Sequence, residues 1–196
     1  MNVVFLDRDG VINKYPGDSD YVTKLKEFQL LPKVITAIKR LNEARFKVFI
    51  ISNQACVGRG IITRKKLDQI TAKLLKITSS KGVKFDGIFY CTHKPDEGCN
   101  CRKPGIGNIK KALAGKGKKL SSVKNGFFVG DTHKDIVAGY KAGLKTILVE
   151  TGRDRLKDFK GEVQKPHYVV AHLDKAVDII LNNENSRHTR NSRRRS

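Results

Sequence analysis

The sequence predicts an α/β fold, a doubly wound, Rossmann-like parallel sheet with helices on both faces. Three observations predict it. Short apolar runs rich in β-branched and aromatic residues alternate with segments of helical spacing. The loops between them are short, and repeated strand–helix units of this kind stack into a parallel sheet. Four polar signatures each follow the carboxyl end of an apolar run, where such sheets bind their ligands.

The elements follow in order. Asn2–Leu6 is an apolar run that stops at Asp7. Val34–Leu41 has helical spacing, with Pro32 near its start. Lys47–Ile51 is strand-like and ends at Ser52-Asn53-Gln54. Thr63 is a candidate cap for a helix of about 15 to 18 residues. Gly87–Tyr90 is a short strand that runs into Cys91–Pro104, a polar, Cys-rich stretch without periodicity. Ile106–Ala114 is helical, Gly126–Gly130 a strand ending at Asp131, Lys134–Ala142 a helix and Lys145–Val149 a strand. Tyr168–Val170 and a helix over Leu173–Leu181 close a single domain spanning 1–181. Residues 182–196 are Asn, Ser and Arg in the main and read as a disordered basic tail.

A chain of 196 residues, 39% of them hydrophobic, is long enough for one full core. No apolar run approaches the roughly 20 residues that span a bilayer. The first residues enter a strand directly, without the features of a signal peptide, which predicts a cytoplasmic protein. Lys and Arg outnumber Asp and Glu by 40 to 19, a net charge of +21. The tail carries five Arg and one Glu, so the body keeps +17. That field suits anionic partners such as phosphorylated metabolites or nucleic acid. The Lys residues are dispersed, and no basic patch is interleaved with aromatics, which argues against nucleic acid.

The first signature is Phe5-Leu6-Asp7-Arg8-Asp9-Gly10-Val11-Ile12-Asn13. Two carboxylates this close repel unless a cation lies between them. One can serve as a nucleophile and the other as a general acid/base. In the second, Ile50-Ile51-Ser52-Asn53-Gln54, a hydroxyl at a strand end can bond a phosphoryl oxygen. The third, Cys101-Arg102-Lys103-Pro104, pairs a point charge with a fork that can hold a second anion. In the fourth, Val129-Gly130-Asp131-Thr132-His133-Lys134-Asp135, Asp131 can complete a magnesium site. Asp135, one helical turn on, can hold a metal-bound water or orient Lys103.

These four signatures, in this order, resemble the haloacid dehalogenase superfamily of phosphotransferases over about 150 residues, from Val3 to Val149. The stretch Cys91-Thr92-His93 and Cys99-Asn100-Cys101 adds three thiolates and an imidazole, a closed set suited to structural zinc. The zinc would brace the loop that carries Arg102 and Lys103. Cys56 lies outside the set. Within the superfamily this element is similar to two families, the heptose bisphosphate phosphatases and the histidinol-phosphate phosphatases. The start at Asp7 and the segment Asp20-Tyr21-Val22 look more like the first, and the five-residue gap between His93 and Cys99 more like the second. Gly105-Ile106-Gly107 and Thr132 depart from the heptose pattern, the latter by removing a cation.

The resemblance implies that Asp7 is the nucleophile and Asp9 the general acid/base. It implies Mg²⁺ on Asp7, the Asp9 carbonyl and Asp131, with Ser52 and Lys103 stabilising the phosphoryl group. Arg102, Asn53, Gln54, Gly17, Asp18 and Tyr21 are the expected substrate contacts. No large cap domain fits in the short gaps after Asp9 and Ser52, and a monomer acting on a small phosphorylated metabolite is expected. The leading substrate is a sugar 1,7-bisphosphate losing its 7-phosphate. The alternatives are histidinol phosphate, a polynucleotide 3′-phosphate, or no catalysis at all in a zinc-stabilised nucleic-acid-binding module.

Overall fold

The computed structural model describes residues 1–17, 21–159 and 164–192, with side chains described to residue 184. Six strands form one sheet: β1 (Asn2–Leu6), β2 (Lys47–Asn53), β3 (Gly87–Cys91), β4 (Asn125–Gly130), β5 (Lys145–Val149) and β6 (Tyr168–Val170). All neighbouring pairs run parallel, in the order β3-β2-β1-β4-β5-β6. The direction of winding reverses between β1 and β4, which opens a crevice at their carboxyl ends.

Successive residues of the strands feed opposite faces of the sheet. Val4, Leu6, Val48, Ile50, Phe127 and Val129 pack on one side with α1 (Val34–Glu43), α2 (Arg64–Ser79) and α5 (Leu173–Ser192). Val3, Phe5, Phe49, Ile51 and Phe128 pack on the other with α3 (Gly107–Ala114) and α4 (His133–Lys141). Burial on both faces explains why β1 reads Val-Val-Phe-Leu without alternation. Thr63 caps α2 as its sequence predicts, its hydroxyl accepting from the Lys66 amide at 3.1 Å.

The last helix does not stop at Leu181 but continues to Ser192. The first polar residues past Leu181 find partners at the base of the sheet. Glu184 accepts from the side-chain amides of Asn2 and Asn125 at 2.7 and 2.6 Å, and Asn183 accepts from Lys145 at 2.6 Å. Residues 193–196 lie outside the described part. The described residues between β1 and α1 form a loop with one 3-10 turn (Leu25–Glu27), and those between β2 and α2 form turns, so neither gap holds a cap domain. No described helix is long and apolar enough to cross a membrane.

Candidate active site

Asp7 follows β1 directly, and its amide bonds the Val129 carbonyl of β4 at 3.0 Å. Asp131 follows β4, so the sheet register sets the two carboxylates side by side across the crevice. Asp135 joins them from the first turn of α4. The three lie within 4.8 Å of one another by one oxygen each, and all are buried. Lys103 is buried among them, its Nζ 3.0 Å from Asp7 and 2.6 Å from Asp135. Thr132 bonds the other Asp135 oxygen through its amide (3.0 Å) and hydroxyl (2.7 Å). Asp135 is therefore the clamp on Lys103, one of the two roles its position allowed.

The electrostatics follow from this packing. Burial pushes the Asp7 carboxyl up to about 6, with Lys103 and Ser52 pulling it down and Asp135 and Asp9 pushing it further up. Burial, then Asp7 and Asp135, hold Asp131 well above the usual carboxylate range. Burial alone would lower the Lys103 ammonium, but Asp135 and Asp7 overcome it and raise it. A buried acid pair of this kind calls for a cation. Asp131 Oδ1 is buried without a hydrogen-bond partner, while its Oδ2 accepts from the Arg153 amide at 2.9 Å. Asp135 is already committed to Lys103 and Thr132. The residues thus fit a hard divalent cation, with Asp7 and Asp131 as its carboxylates. Gly10, at φ +81°, keeps this space open: a Cβ there would run into the Asp131 carboxylate.

Asp9 also faces the crevice. Its oxygens accept from Arg8 Nε (3.1 Å) and Nη2 (3.0 Å), Asn13 (2.8 Å) and Gln54 (2.8 Å). Ser52 is buried at the end of β2 and accepts from Gln54 at 3.2 Å. Asn53 brackets the backbone of Lys103, donating to its carbonyl at 3.1 Å and accepting from its amide at 3.0 Å. This reciprocal pair ties the loop after β3 to the end of β2.

A cleft of about 160 Å³ is lined by Asp7, Asp9, Ser52, Lys103 and Asp131, with Tyr21, Asn53 and Arg102 at its edge. Arg102 Nη1 is buried without a hydrogen-bond partner. Two cations that the signatures did not single out complete this wall, Lys134 and Arg153. Burial lowers the Lys134 ammonium, and Arg102 and Arg153 lower it further, which marks three positive groups meeting at one place. Lys134 follows Thr132 by two residues and brings a cation to the same cleft. Arg153 sits in the loop after β5, whose Asp154 amide bonds the Asp131 carbonyl at 2.9 Å. A second hollow of about 570 Å³ shares Tyr15, Pro16 and Tyr21 with the cleft.

Three expected substrate contacts are not among the described lining residues. Gln54 is fully buried, and its amide is spent on Asp9, Arg8 and Ser52, so it supports the site from beneath instead of touching substrate. Gly17, at φ +116°, does not line the cleft. Asp18 lies outside the described residues.

Cys91 ends β3, and His93, Cys99 and Cys101 close on it within 4.8 Å. Cys99 Sγ is 3.5 Å from Cys91 and 3.5 Å from Cys101, and His93 Nδ1 is 3.3 Å from Cys101. Burial, then bonds to Cys101 and Cys99, push the Cys91 thiol up to about 12. At Cys99, burial pushes the other way but is outweighed by bonds to Cys101 and Cys91, which hold it down at about 7. Three thiols this close cannot all ionise without a cation, and the four ligands could hold a metal.

Comparison with known proteins agrees with the geometry. A HAD-hydrolase-like family profile matches residues 100–176. The chain is 37% identical over 161 residues to D-glycero-alpha-D-manno-heptose-1,7-bisphosphate 7-phosphatase of Photorhabdus laumondii, covering 78% of this chain and 84% of that protein. The chain belongs to this haloacid dehalogenase phosphatase family. The D,D-heptose 1,7-bisphosphate phosphatase of B. bronchiseptica, solved with magnesium and phosphate, superposes on this phosphatase with a TM-score of 0.83 at 32% identity, over 93% of this chain and 99% of that one. The phosphatase is also 31% identical over 176 residues to the histidine biosynthesis bifunctional protein HisB of Blochmanniella floridana, covering 90% of this chain and 48% of that protein. Family membership with a complete set of acids removes the non-catalytic module as a reading.

Proposed function

We propose that this phosphatase removes the 7-phosphate of a D-glycero-D-manno-heptose 1,7-bisphosphate. The observation that carries the reading is the cationic wall. Asp7 and Lys103 deal with one phosphate, and Arg102, Lys134 and Arg153, the last beside Asp154, line the same cleft and can meet another. A monophosphate would leave that second group of charges unused. The hollow beside it, with Tyr15, Tyr21, Glu27 and Gln29, offers aromatic faces and polar groups to a sugar.

In the proposed mechanism an Asp7 oxygen attacks phosphorus and forms an aspartyl-phosphate. The bond from phosphorus to the sugar oxygen breaks, and that oxygen takes its proton from Asp9. Asp9 then accepts a proton from water as the water oxygen bonds phosphorus and the bond to Asp7 breaks. Lys103 and Ser52 bind the phosphoryl oxygens throughout. Asp7, Asp131 and the Asp9 carbonyl would hold Mg²⁺, which supplies charge neutralisation at the phosphoryl group. Cys91, His93, Cys99 and Cys101 would hold Zn²⁺ and fix the loop that delivers Arg102 and Lys103. The same reading has the chain act as a cytoplasmic monomer.

A second reading, histidinol-phosphate hydrolysis, is favoured by the HisB relative and the short gap between His93 and Cys99. The deciding experiment compares kcat/KM for heptose 1,7-bisphosphate, histidinol phosphate and a 3′-phosphorylated oligonucleotide. Phosphorus NMR identifies which phosphate leaves the bisphosphate. The proposal requires the bisphosphate to be the best of the three and its 7-phosphate to be the one lost. A preference for either other substrate overturns it.

A further inference from the structure

Arg8 is a cation that aspartyl transfer does not use, yet its side chain is 0% exposed. Burying a guanidinium is costly unless its donors are matched. Here two of its three nitrogens are matched: Nε and Nη2 grip the two carboxylate oxygens of Asp9 as a fork, at 3.1 and 3.0 Å, while Nη1 is buried without a hydrogen-bond partner. Nη2 also donates to Gln54 Oε1 at 3.0 Å, and the guanidinium lies 5.6 Å from the centre of the Tyr90 ring. Gln54 returns the contact, its Nε2 donating to Asp9 Oδ2 at 2.8 Å and to Ser52 Oγ at 3.2 Å. Its backbone is pinned by a bond from its amide to the Cys91 carbonyl at 2.7 Å. Only one orientation of the Gln54 amide serves this arrangement, because the flipped one would set its NH₂ against Arg8 and its oxygen against Asp9. Asn13 completes the set from the other side, donating to Asp9 Oδ1 at 2.8 Å.

We propose that Arg8 and Gln54 are positioning residues for the proton transfers of Asp9. The proposal rests on the reading of Asp9 as the acid that protonates the leaving oxygen and the base that takes the proton back from water. It does not depend on which sugar is the substrate. Each Asp9 oxygen accepts two bonds in the structure. To carry a proton, one oxygen must release a donor. The guanidinium bonds are bidentate and charged on both partners, and the amide bonds are charged only on the carboxylate, so an amide gives way first and Arg8 keeps the carboxyl in place. Through Gln54 the same network sets the Ser52 hydroxyl, so the acid/base and a phosphoryl ligand are registered by one side chain.

The test separates positioning of an acid from support of the fold. It measures kcat/KM, which reports aspartyl-phosphate formation, on p-nitrophenyl phosphate and on glycerol phosphate. The first leaving group needs no proton and the second does. The reference variant is Asp9→Asn, which cannot carry the proton. Gln54→Glu keeps the size but sets an oxygen against Asp9, and Arg8→Lys keeps the charge but loses the fork. Asp9→Asn and Gln54→Glu are expected to lose roughly 100-fold or more on glycerol phosphate and less than about tenfold on p-nitrophenyl phosphate, the span of a general acid's contribution. Arg8→Lys is expected to show the same selectivity with a smaller loss of about tenfold. If Asp9→Asn is selective and Gln54→Glu and Arg8→Lys lose equally on both substrates or not at all, the proposal is overturned. If Asp9→Asn itself is unselective, the reading of Asp9 as the acid fails instead. Gln54→Met stands in where Gln54→Glu does not fold. Loss of the folded circular-dichroism signal in every Arg8 and Gln54 variant would assign the network to stability and also overturn the proposal.

Discussion

Two clusters of metal-ligand side chains face the same edge of the sheet and are built in opposite ways. Asp7, Asp131 and Asp135 are all buried, whereas in the second cluster only Cys91 is buried and His93 is exposed. The carboxylates come from far apart in the chain, and strands β1 and β4 bring them together. The Cys/His ligands come from eleven consecutive residues, of which only Cys91 belongs to a strand. One cluster is therefore set by the core. The other lies on a loop, and the Asn53–Lys103 pair ties that loop to the end of β2 beside the first.

The largest expected effect breaks the chemistry and leaves the scaffold. Asp7→Asn should lower turnover on the order of 10⁴-fold or more, since an amide is no nucleophile at phosphorus. The fold should persist, because burial already disfavours the charge on Asp7. Steady-state rates and a circular-dichroism melt check both halves. Turnover within about tenfold of wild type refutes the assignment.

A change at the other cluster should do the reverse of damaging the core. Cys99→Ser should abolish zinc binding at the proposed site, loosen the loop around Arg102 and Lys103, and cost roughly 10- to 100-fold in activity. The far-ultraviolet spectrum should be unchanged, because the sheet does not rest on the loop. Metal analysis of the wild-type protein and the variant checks this, and a wild-type protein without zinc ends the idea.

Arg102 joins the two regions, following Cys101 in the chain and facing the cleft. Arg102→Ala should lower kcat/KM for the bisphosphate by roughly 10- to 100-fold, as for a lost charge-assisted contact of about 1.5 to 3 kcal/mol. A simple monophosphate should be affected much less. Equal losses on both would place Arg102 at the reacting phosphate.

The contrast also explains what the sequence made legible. The Cys/His ligands are local, so spacing alone brought them together. The carboxylates are distant, but each ends a buried run, and one topological rule placed Asp7, Ser52, Cys91 and Asp131 on one edge. The same rule applied to β5 points to Glu150-Thr151-Gly152-Arg153, and there lay the missed signal for Arg153. Lys134 was hidden within the fourth signature, because helix geometry and not composition aims it at the cleft. Gln54 failed differently. A polar residue after a strand reads as a ligand contact, and only the structure shows that it faces the buried Arg8. The helix past Leu181 was illegible because Glu184 is held there by Asn2 and Asn125, both distant in the chain.

The smallest predicted effect sharpens the comparison through pH. Burial raises Asp7 from 3.8 to about 6 and holds Asp131 well above 3.8, so without a cation the folded state keeps protons that the unfolded state has released. Asp7 therefore costs stability progressively as pH climbs from about 3.8 through 6, and Asp131 adds a cost of the same sign as pH rises above about 3.8. A divalent cation replaces those protons and removes the cost. It also competes with them, so it binds less well where they are held. Mg²⁺ at about 100 times its dissociation constant adds roughly 2.7 kcal/mol. For a chain of this size that is a rise in Tm of about 5 to 10 °C at pH 7.5. At pH 5 the rise should be clearly smaller, and Asp131→Asn should abolish most of it at both values. Thermal melts with and without Mg²⁺ measure all four conditions. Equal shifts at the two pH values would show that the buried acids do not form the cation site, and the rise would have to come from elsewhere on the surface.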